Sequence, residues 1–368
     1  MFTNIIKKDI RSLSQDDLKD FFSDKGEKHY RAKQVYEWLW KRSAHTFNEM
    51  TNLSKATRKL LEDHFIINAV KLDSVQVSSD KTIKSSFKLF DGNLIEGVLI
   101  PALTDSPASN LMQAGVSAGK PAKNRMTACI SSQVGCTLSC KFCATGKLKK
   151  LRNLNHDEIY DQVVLIRNQS EKYYNAPLTN IVYMGMGEPL FNYENVLASV
   201  EKITSPDGLN MSPDRITIST VGIAQMIKKL GDDNVKFNLA LSLNSANDKK
   251  RNEIMPVGKN NSLVSLSKAL KYFHSKTGKR LTYEYIIFKD FNDGITDAKE
   301  LSEFCKIVPC KVNIIEYNPI GEKRFERADT GKVTDLANYL ESRNIIVNIR
   351  RSRGKDIKAA CGQLAIRC

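Results

Sequence analysis

Ser132-Gln-Val-Gly-Cys136-Thr-Leu-Ser-Cys140-Lys-Phe-Cys143-Ala-Thr-Gly146 carries three cysteines spaced as Cys-x3-Cys-x2-Cys. Three thiolates are one short of a closed four-ligand site. On a short loop they can hold three irons of a [4Fe–4S] cube and leave the fourth iron open to an exogenous ligand. An open iron implies chemistry, whereas a closed four-cysteine site implies structure or simple electron transfer. His156 keeps a second reading open, a Cys3His zinc site. Against zinc, Asn155-His-Asp-Glu158 reads as a helix start. Asn155 is at the cap, Glu158 at the capping-box position, and Ile159, Val163 and Ile166 form an apolar stripe.

The chain has 368 residues, enough for one large domain and a smaller one. No window approaches a membrane span, and Met1-Phe-Thr-Asn-Ile-Ile-Lys-Lys-Asp9 has no signal-peptide core. A soluble cytoplasmic protein without membrane attachment is expected, and its eight cysteines then read as metal-binding or reactive. The formal charge is +15. Arg343, Arg350, Arg351, Arg353, Lys355 and Lys358 face only Asp356 over their stretch, and Lys147, Lys149, Lys150 and Arg152 follow the cysteine loop. Two basic clusters beside a reactive loop point to a polyphosphate partner, with nucleic acid the leading candidate.

Residues 1–75 read as a helical domain able to contact RNA, with bases and aromatics interleaved over Arg31-Ala-Lys-Gln-Val-Tyr-Glu-Trp-Leu-Trp40. Residues 76–102 read as a β-hairpin extension, Phe87–Phe90 and Leu94–Ile100 flanking Asp91-Gly92-Asn93. Residues 103–124 are small, polar and Pro/Gly-rich, a flexible loop. From 125 to 350 strands alternate with helices. The strand runs are Thr127–Ser131, Asn180–Met184, Arg215–Ser219, Phe237–Ser242, Leu281–Ile287 and Lys311–Tyr317. Amphipathic helices such as Asn192–Ile203, Leu263–Phe273 and Ile295–Ile307 fall between them. Six such units predict an α/β fold, an open partial (βα)6 barrel with its site at the C-terminal strand ends. Residues 351–368 form a C-terminal segment whose last residue, Cys368, is expected to be disordered.

The strand Asn180–Met184 runs into Gly185-Met-Gly-Glu-Pro189, a glycine turn with an acceptor for an ammonium group. With the cysteine loop it resembles the radical S-adenosylmethionine enzymes. Ile130-Ser-Ser-Gln-Val-Gly-Cys136, Met184-Gly-Met-Gly-Glu-Pro189 and Ala359-Ala-Cys-Gly-Gln-Leu364 narrow the resemblance to the RlmN/Cfr family of RNA adenosine methyltransferases. The Phe-Asn-Asp core of Asp290–Gly294 and Tyr317-Asn-Pro319 fit the same pattern, and the match covers nearly the whole chain.

The resemblance implies a [4Fe–4S] cluster on Cys136, Cys140 and Cys143, and two S-adenosylmethionine molecules per turnover. Gly187, Glu188, Ser219, Ser242, Leu243, Asn244 and Asn318 match the family's S-adenosylmethionine positions. Cys361 matches the cysteine that carries the methyl group, Cys129 the second catalytic cysteine, and Glu96 the proposed proton acceptor. Asn244 departs from the family's usual Ser-Leu-His, and the 103–124 stretch is longer than usual between Glu96 and Cys129.

An aromatic adenine carbon is too poor a nucleophile to displace a sulfonium methyl group, whereas a thiolate is not. The resemblance accordingly implies that Cys361 takes the methyl group first, its pKa expected to be lowered by the bases around it. In the family's reaction a 5′-deoxyadenosyl radical would then abstract hydrogen from that methyl group, and the carbon radical would add to adenine. On the same resemblance Cys129 is expected to resolve the RNA–protein crosslink, leaving a disulfide for a cytosolic thiol reductant. The family implies 23S ribosomal RNA and tRNA as substrates, an electron donor such as flavodoxin, and a monomer. Gln133-Val134-Gly135 and Pro189 favour the RlmN branch and adenine C2. Methylation at C8, a non-enzymatic zinc module binding RNA, and sulfur insertion into tRNA are the competing readings. Cys305 and Cys310 match no catalytic position and read as structural.

Overall fold

The computed structural model describes residues 7–102, 125–257, 261–321 and 324–365. The loop read over 103–124 and the terminal Cys368 lie outside the described residues. The chain opens with α1 (Gln15–Asp24), α2 (Arg31–Tyr36) and α3 (Lys55–His64). α1 begins in a capping box in which Ser14 and Asp17 satisfy each other's backbone N–H. α2 continues into a wider turn over Glu37–Lys41 that buries Trp40. Most of the aromatics here pack inward, as Tyr160 Oη donating to Trp40 O illustrates.

A ten-stranded sheet follows, its strands side by side in the order in which they occur in the chain. β1 (Lys71–Val77), β2 (Ile83–Lys88) and β3 (Leu94–Ala102) form an antiparallel meander. β3 pairs antiparallel with β4 (Arg125–Cys129). Beyond it every pairing is parallel, through β5 (Asn180–Tyr183), β6 (Ile216–Thr220), β7 (Asn238–Ser242), β8 (Leu281–Ile287), β9 (Cys310–Glu316) and β10 (Ile346–Arg350). The crossovers carry α4 (His156–Tyr174), α5 (Tyr193–Thr204), α6 (Ala224–Asp232), α7 (Asp248–Ile254), α8 (Leu263–Thr277), α9 (Ile295–Cys305) and α10 (Thr330–Glu341). The result is six βα units in an open barrel, closed at one edge by a seventh parallel strand.

Two features differ from the sequence reading. β10 was not among the six expected strands, because it is an edge strand whose residues are exposed or half-buried and show no clean alternation. β1 runs across the boundary placed at residue 75, where helix was expected. It too is an exposed edge, and a register shift between Leu72 and Ser74 breaks its period of two. The hairpin around Asp91-Gly92-Asn93 is present, with Leu89 N donating to Asn93 O at 2.9 Å.

The helical domain docks on the barrel through a buried charge cluster. Arg11 Nη1 contacts both Asp161 oxygens at 2.9 and 2.8 Å, and Nη2 lies 2.9 Å from Asp157 Oδ2. All three side chains are buried, and burial pushes Asp157 up to about 7 against the pull of Arg11. Removing one partner of such a set strands the others in low dielectric. Arg11→Met is therefore expected to lower the unfolding free energy by about 3–5 kcal/mol, measurable by denaturant titration.

Candidate active site

The cysteine loop is assembled against the turn that follows β5. Gly185 N donates to Ile130 O at 3.0 Å, Met186 O accepts from Ser132 N at 2.9 Å, and Glu188 N donates to Gln133 Oε1 at 2.9 Å. Gly187 has φ +96°, and a Cβ there would meet Gln133 Cβ at 2.5 Å. Only glycine satisfies both the backbone angle and the close approach. The C-terminal segment is stitched to the same loop. Ala144 N donates to Gly362 O at 2.7 Å, and Thr145 Oγ1 donates to Leu364 O at 2.6 Å. A Cβ on Gly362 would meet Phe142 O at 2.9 Å, so this contact too requires glycine. Beneath the loop, Leu138 and Phe142 pack on Ile254, Met255, Phe288, Tyr317 and Phe325.

Cys136, Cys140 and Cys143 line one cavity at the C-terminal strand ends, together with Gly187, Glu188, Ser219, Ser242 and Asn244. Three cysteinyl sulfurs on one loop, with Leu138 N–H directed at Cys136 Sγ (3.4 Å), suit the three-ligand cluster. Burial pushes Cys136 up to about 11 and Cys140 higher still, a cost that coordination reverses because ligating thiols lose their protons. Cys140→Ala is expected to remove most of the iron from anaerobically purified protein, read by iron assay and visible absorbance. Glu188 is buried, and burial pushes it up to about 7 even though Val221 N and Leu190 N donate to it at 2.9 and 3.0 Å. It is a carboxylate placed to gain from an ammonium partner.

Asn244 has φ +55°, a conformation asparagine tolerates, and its Oδ1 accepts from Ile286 N at 2.9 Å. Leu243 and Asn318 are outside the lining. Leu243 packs its side chain into the core, and Asn318 Nδ2 donates to Cys361 O at 3.3 Å, which braces the segment. Glu96 is buried on β3, with Lys84 Nζ 3.5 Å from its carboxylate, and is not among the residues lining either cavity.

A second cavity adjoins the first. Cys129, the last residue of β4, lines it with Arg125, Arg350, Arg351 and Arg353. Cys361 and Cys143 line both cavities, so Cys361 stands at their junction. Burial raises Cys129 strongly, with the nearby Cys361 adding to it. The lowered pKa expected for Cys361 is not found. Burial of the sulfur pushes the thiol up, Arg350 opposing it and Glu284 adding to it, although the residue as a whole is exposed. Two of the other bases are engaged elsewhere, Lys355 Nζ with Glu316 at 2.9 Å and Arg353 Nη1 with Pro101 O at 2.8 Å.

His156 is no zinc ligand. Its ring stacks on Trp40 with centroids 5.5 Å apart, and Nε2 lies 3.2 Å from Arg11 O, inside the domain interface. Cys305 and Cys310 sit at the end of α9 and the start of β9, with Cys310 Sγ 3.5 Å from Cys305 O. One further residue was quoted in the sequence only within the Phe-Asn-Asp motif, and another went unnoticed. Asn292 is fully buried and ties Phe288 N, Asn244 O and Ile286 O together at 2.7–2.8 Å. Glu284 lines the first cavity from the middle of β8. A lone acid inside the apolar run Leu281–Ile287 was the available signal.

Two family models match the chain, the ribosomal RNA large subunit methyltransferase N-terminal domain over residues 8–67 and the radical SAM superfamily over residues 130–301. A probable dual-specificity RNA methyltransferase RlmN from Cytophaga hutchinsonii is 58% identical, covering 99% of this chain and 94% of that protein. Its counterpart from Christiangramia forsetii is 55% identical over 98% of this chain and 96% of that protein. A crystal structure of a radical SAM methyltransferase from Sphaerobacter thermophilus superposes with a TM-score of 0.85 at 33% identity, covering 97% of this chain and 99% of that one.

Proposed function

The chain belongs to the RlmN family of radical S-adenosylmethionine RNA methyltransferases, and on that premise we propose that it methylates C2 of an adenosine in 23S ribosomal RNA and of the adenosine 3′ of the anticodon in tRNAs. The reading is best supported by one placement: Cys361 lines both the cysteine-loop cavity and the cavity that holds Cys129. A thiol at that junction can receive a group on one side and hand it to a base on the other.

Cys136, Cys140 and Cys143 would hold the [4Fe–4S] cluster, which with S-adenosylmethionine supplies the one-electron chemistry needed to activate an unreactive methyl group. This chain's residues then divide the remaining work. Glu188 and the Gly185–Gly187 turn receive the amino-acid end of S-adenosylmethionine, with Ser219, Ser242 and Asn244 along the same wall. Cys361 Sγ takes the methyl group by substitution, losing its proton as the new C–S bond forms. Arg350 favours the thiolate during that step. After the methyl carbon has joined adenine, the adduct radical would return one electron to the cluster, and the ring proton leaves to a base, the role assigned to Glu96. Cys129 Sγ then attacks Cys361 Sγ. The S–S bond forms as the S–C bond to the methylene breaks, and the methylene carbon takes up a proton to become the methyl group. A thiol reductant returns both cysteines to thiols.

Arg125, Arg350, Arg351 and Arg353 around the second cavity favour a polyanion whose base is turned inward. Among the described residues no helix is long and apolar enough to cross a membrane, and we place the enzyme in the cytoplasm, where its RNAs are. A monomer and a flavodoxin-type electron donor complete the reading. Nucleosides from 23S RNA and tRNA treated with the reconstituted enzyme should contain 2-methyladenosine. Finding 8-methyladenosine alone would overturn the C2 assignment.

A further inference from the structure

A row of polar side chains crosses the barrel at one level. Ser242, Glu284, Asn313 and Asn348 stand in register on β7, β8, β9 and β10. Asn348 Nδ2 donates to Asn313 Oδ1 at 3.1 Å, and Asn313 Nδ2 donates to Glu284 Oε1 at 2.8 Å. At the other end, Ser219 Oγ lies 3.3 Å from Ser242 Oγ. The row is interrupted at one atom. Glu284 is 5% exposed, lines the first cavity, and its Oε2 has no hydrogen-bond partner among the described residues. Arg350 Nη1 forms an ion pair with it at 3.7 Å, too long for a hydrogen bond. A buried carboxylate oxygen left without a donor is costly, and it persists where a ligand supplies one.

We propose that Glu284 is a further S-adenosylmethionine-binding residue, its Oε2 accepting hydrogen bonds from the ribose hydroxyls of the adenosyl group. The inference rests on the cofactor use described above and adds a residue to it. The cavity wall runs from Glu188 after β5, past Ser219 on β6 and Ser242 on β7, to Glu284 on β8. Three strand spacings make that roughly 14 Å, the reach of a molecule whose ammonium meets Glu188 and whose sugar lies toward β8. The serines can donate or accept; burial raises Glu284 against the pull of Arg350, and in its ionised form the carboxylate only accepts. Asn313 holds one oxygen and so aims the other. A vicinal diol offers two donors to one such oxygen or its neighbour, a better match than the single exocyclic amine of adenine.

The test is a binding cycle on the cluster-loaded protein under anaerobic conditions. Equilibrium dialysis would compare S-adenosylmethionine with its 2′-deoxy and 3′-deoxy analogues, on the wild type and on Glu284→Gln. The substitution keeps the shape and removes the charged acceptor. It should weaken S-adenosylmethionine by about 10- to 30-fold, the scale of a hydrogen bond to a charged group. At least one deoxy analogue should lose affinity on the wild type and lose little more on Glu284→Gln, because side chain and hydroxyl report the same contact. Glu284→Asp, which keeps the charge and shortens the reach, should fall between them. Iron content and thermal midpoint, measured on the same samples, identify any variant that has lost its fold, and the analogue comparison on the wild type then still decides. Unchanged affinity in Glu284→Gln, equal binding of all three ligands by the wild type, or independent additive losses would each overturn the proposal. A cluster-loaded wild type that binds no S-adenosylmethionine would overturn both this inference and the functional reading beneath it.

Discussion

Cys361→Ala is expected to abolish RNA methylation, by a factor on the order of 10⁴ or more, the scale on which loss of a covalent nucleophile acts. The protein should otherwise remain intact. The backbone that seats this segment on the cysteine loop is bonded through Gly362 O and Leu364 O, neither of which involves the Cys361 sulfur. Iron content and absorbance should therefore match the wild type. The C-terminal peptide should carry no added methyl mass, and digested RNA should contain no methylated adenosine. A variant that kept methylating RNA would show that the methyl group reaches the base by another route.

Cys129→Ala is expected to fail later in the reaction. Methyl loading of Cys361 and carbon–carbon bond formation need no sulfur at residue 129, so both should proceed. Release does need it, since the S–C bond breaks only as a second sulfur attacks. The expected product is a covalent RNA–protein species that accumulates to at most one equivalent. It should be visible as a nuclease-sensitive mass shift under denaturing conditions. Cys129 lies on the cavity shared with Cys361, and burial holds its thiol strongly protonated in the resting protein. Attack therefore requires the proton to be removed as the S–S bond forms. Multiple turnover by Cys129→Ala would remove this residue from the release step.

The parts of the site that could be read in advance were those written locally. The cysteine loop, the Gly185–Glu188 turn and the capping box at Asn155 and Glu158 are short stretches whose spacing determines their geometry. Strands β4 to β9 fall within two residues of their expected limits because each is bounded by turn residues and buried on the sheet. The exposed edges β1 and β10 have no such pattern. Side-chain placement was harder to read. Leu243 and Asn318 match family positions, and that the first packs its side chain into the core while the second braces the backbone of Cys361 is set by tertiary packing no motif records. Basic residues near Cys361 in sequence suggested a lowered thiol pKa, but Lys355 and Arg353 are bonded elsewhere and only Arg350 acts on it. Glu284 escaped notice because its meaning depends on Asn313, Asn348 and Ser242, which register alone brings together.

A chase in a single turnover decides whether the methyl group rests on Cys361 before it reaches RNA. The enzyme is loaded with S-adenosylmethionine bearing a heavy-carbon methyl group, freed of excess reagent, then given RNA, reductant and unlabelled S-adenosylmethionine. The Cys361 peptide should lose the heavy mass as 2-methyladenosine gains it in the first turnover. Light 2-methyladenosine appearing first, with the heavy methyl group still on Cys361, would contradict it.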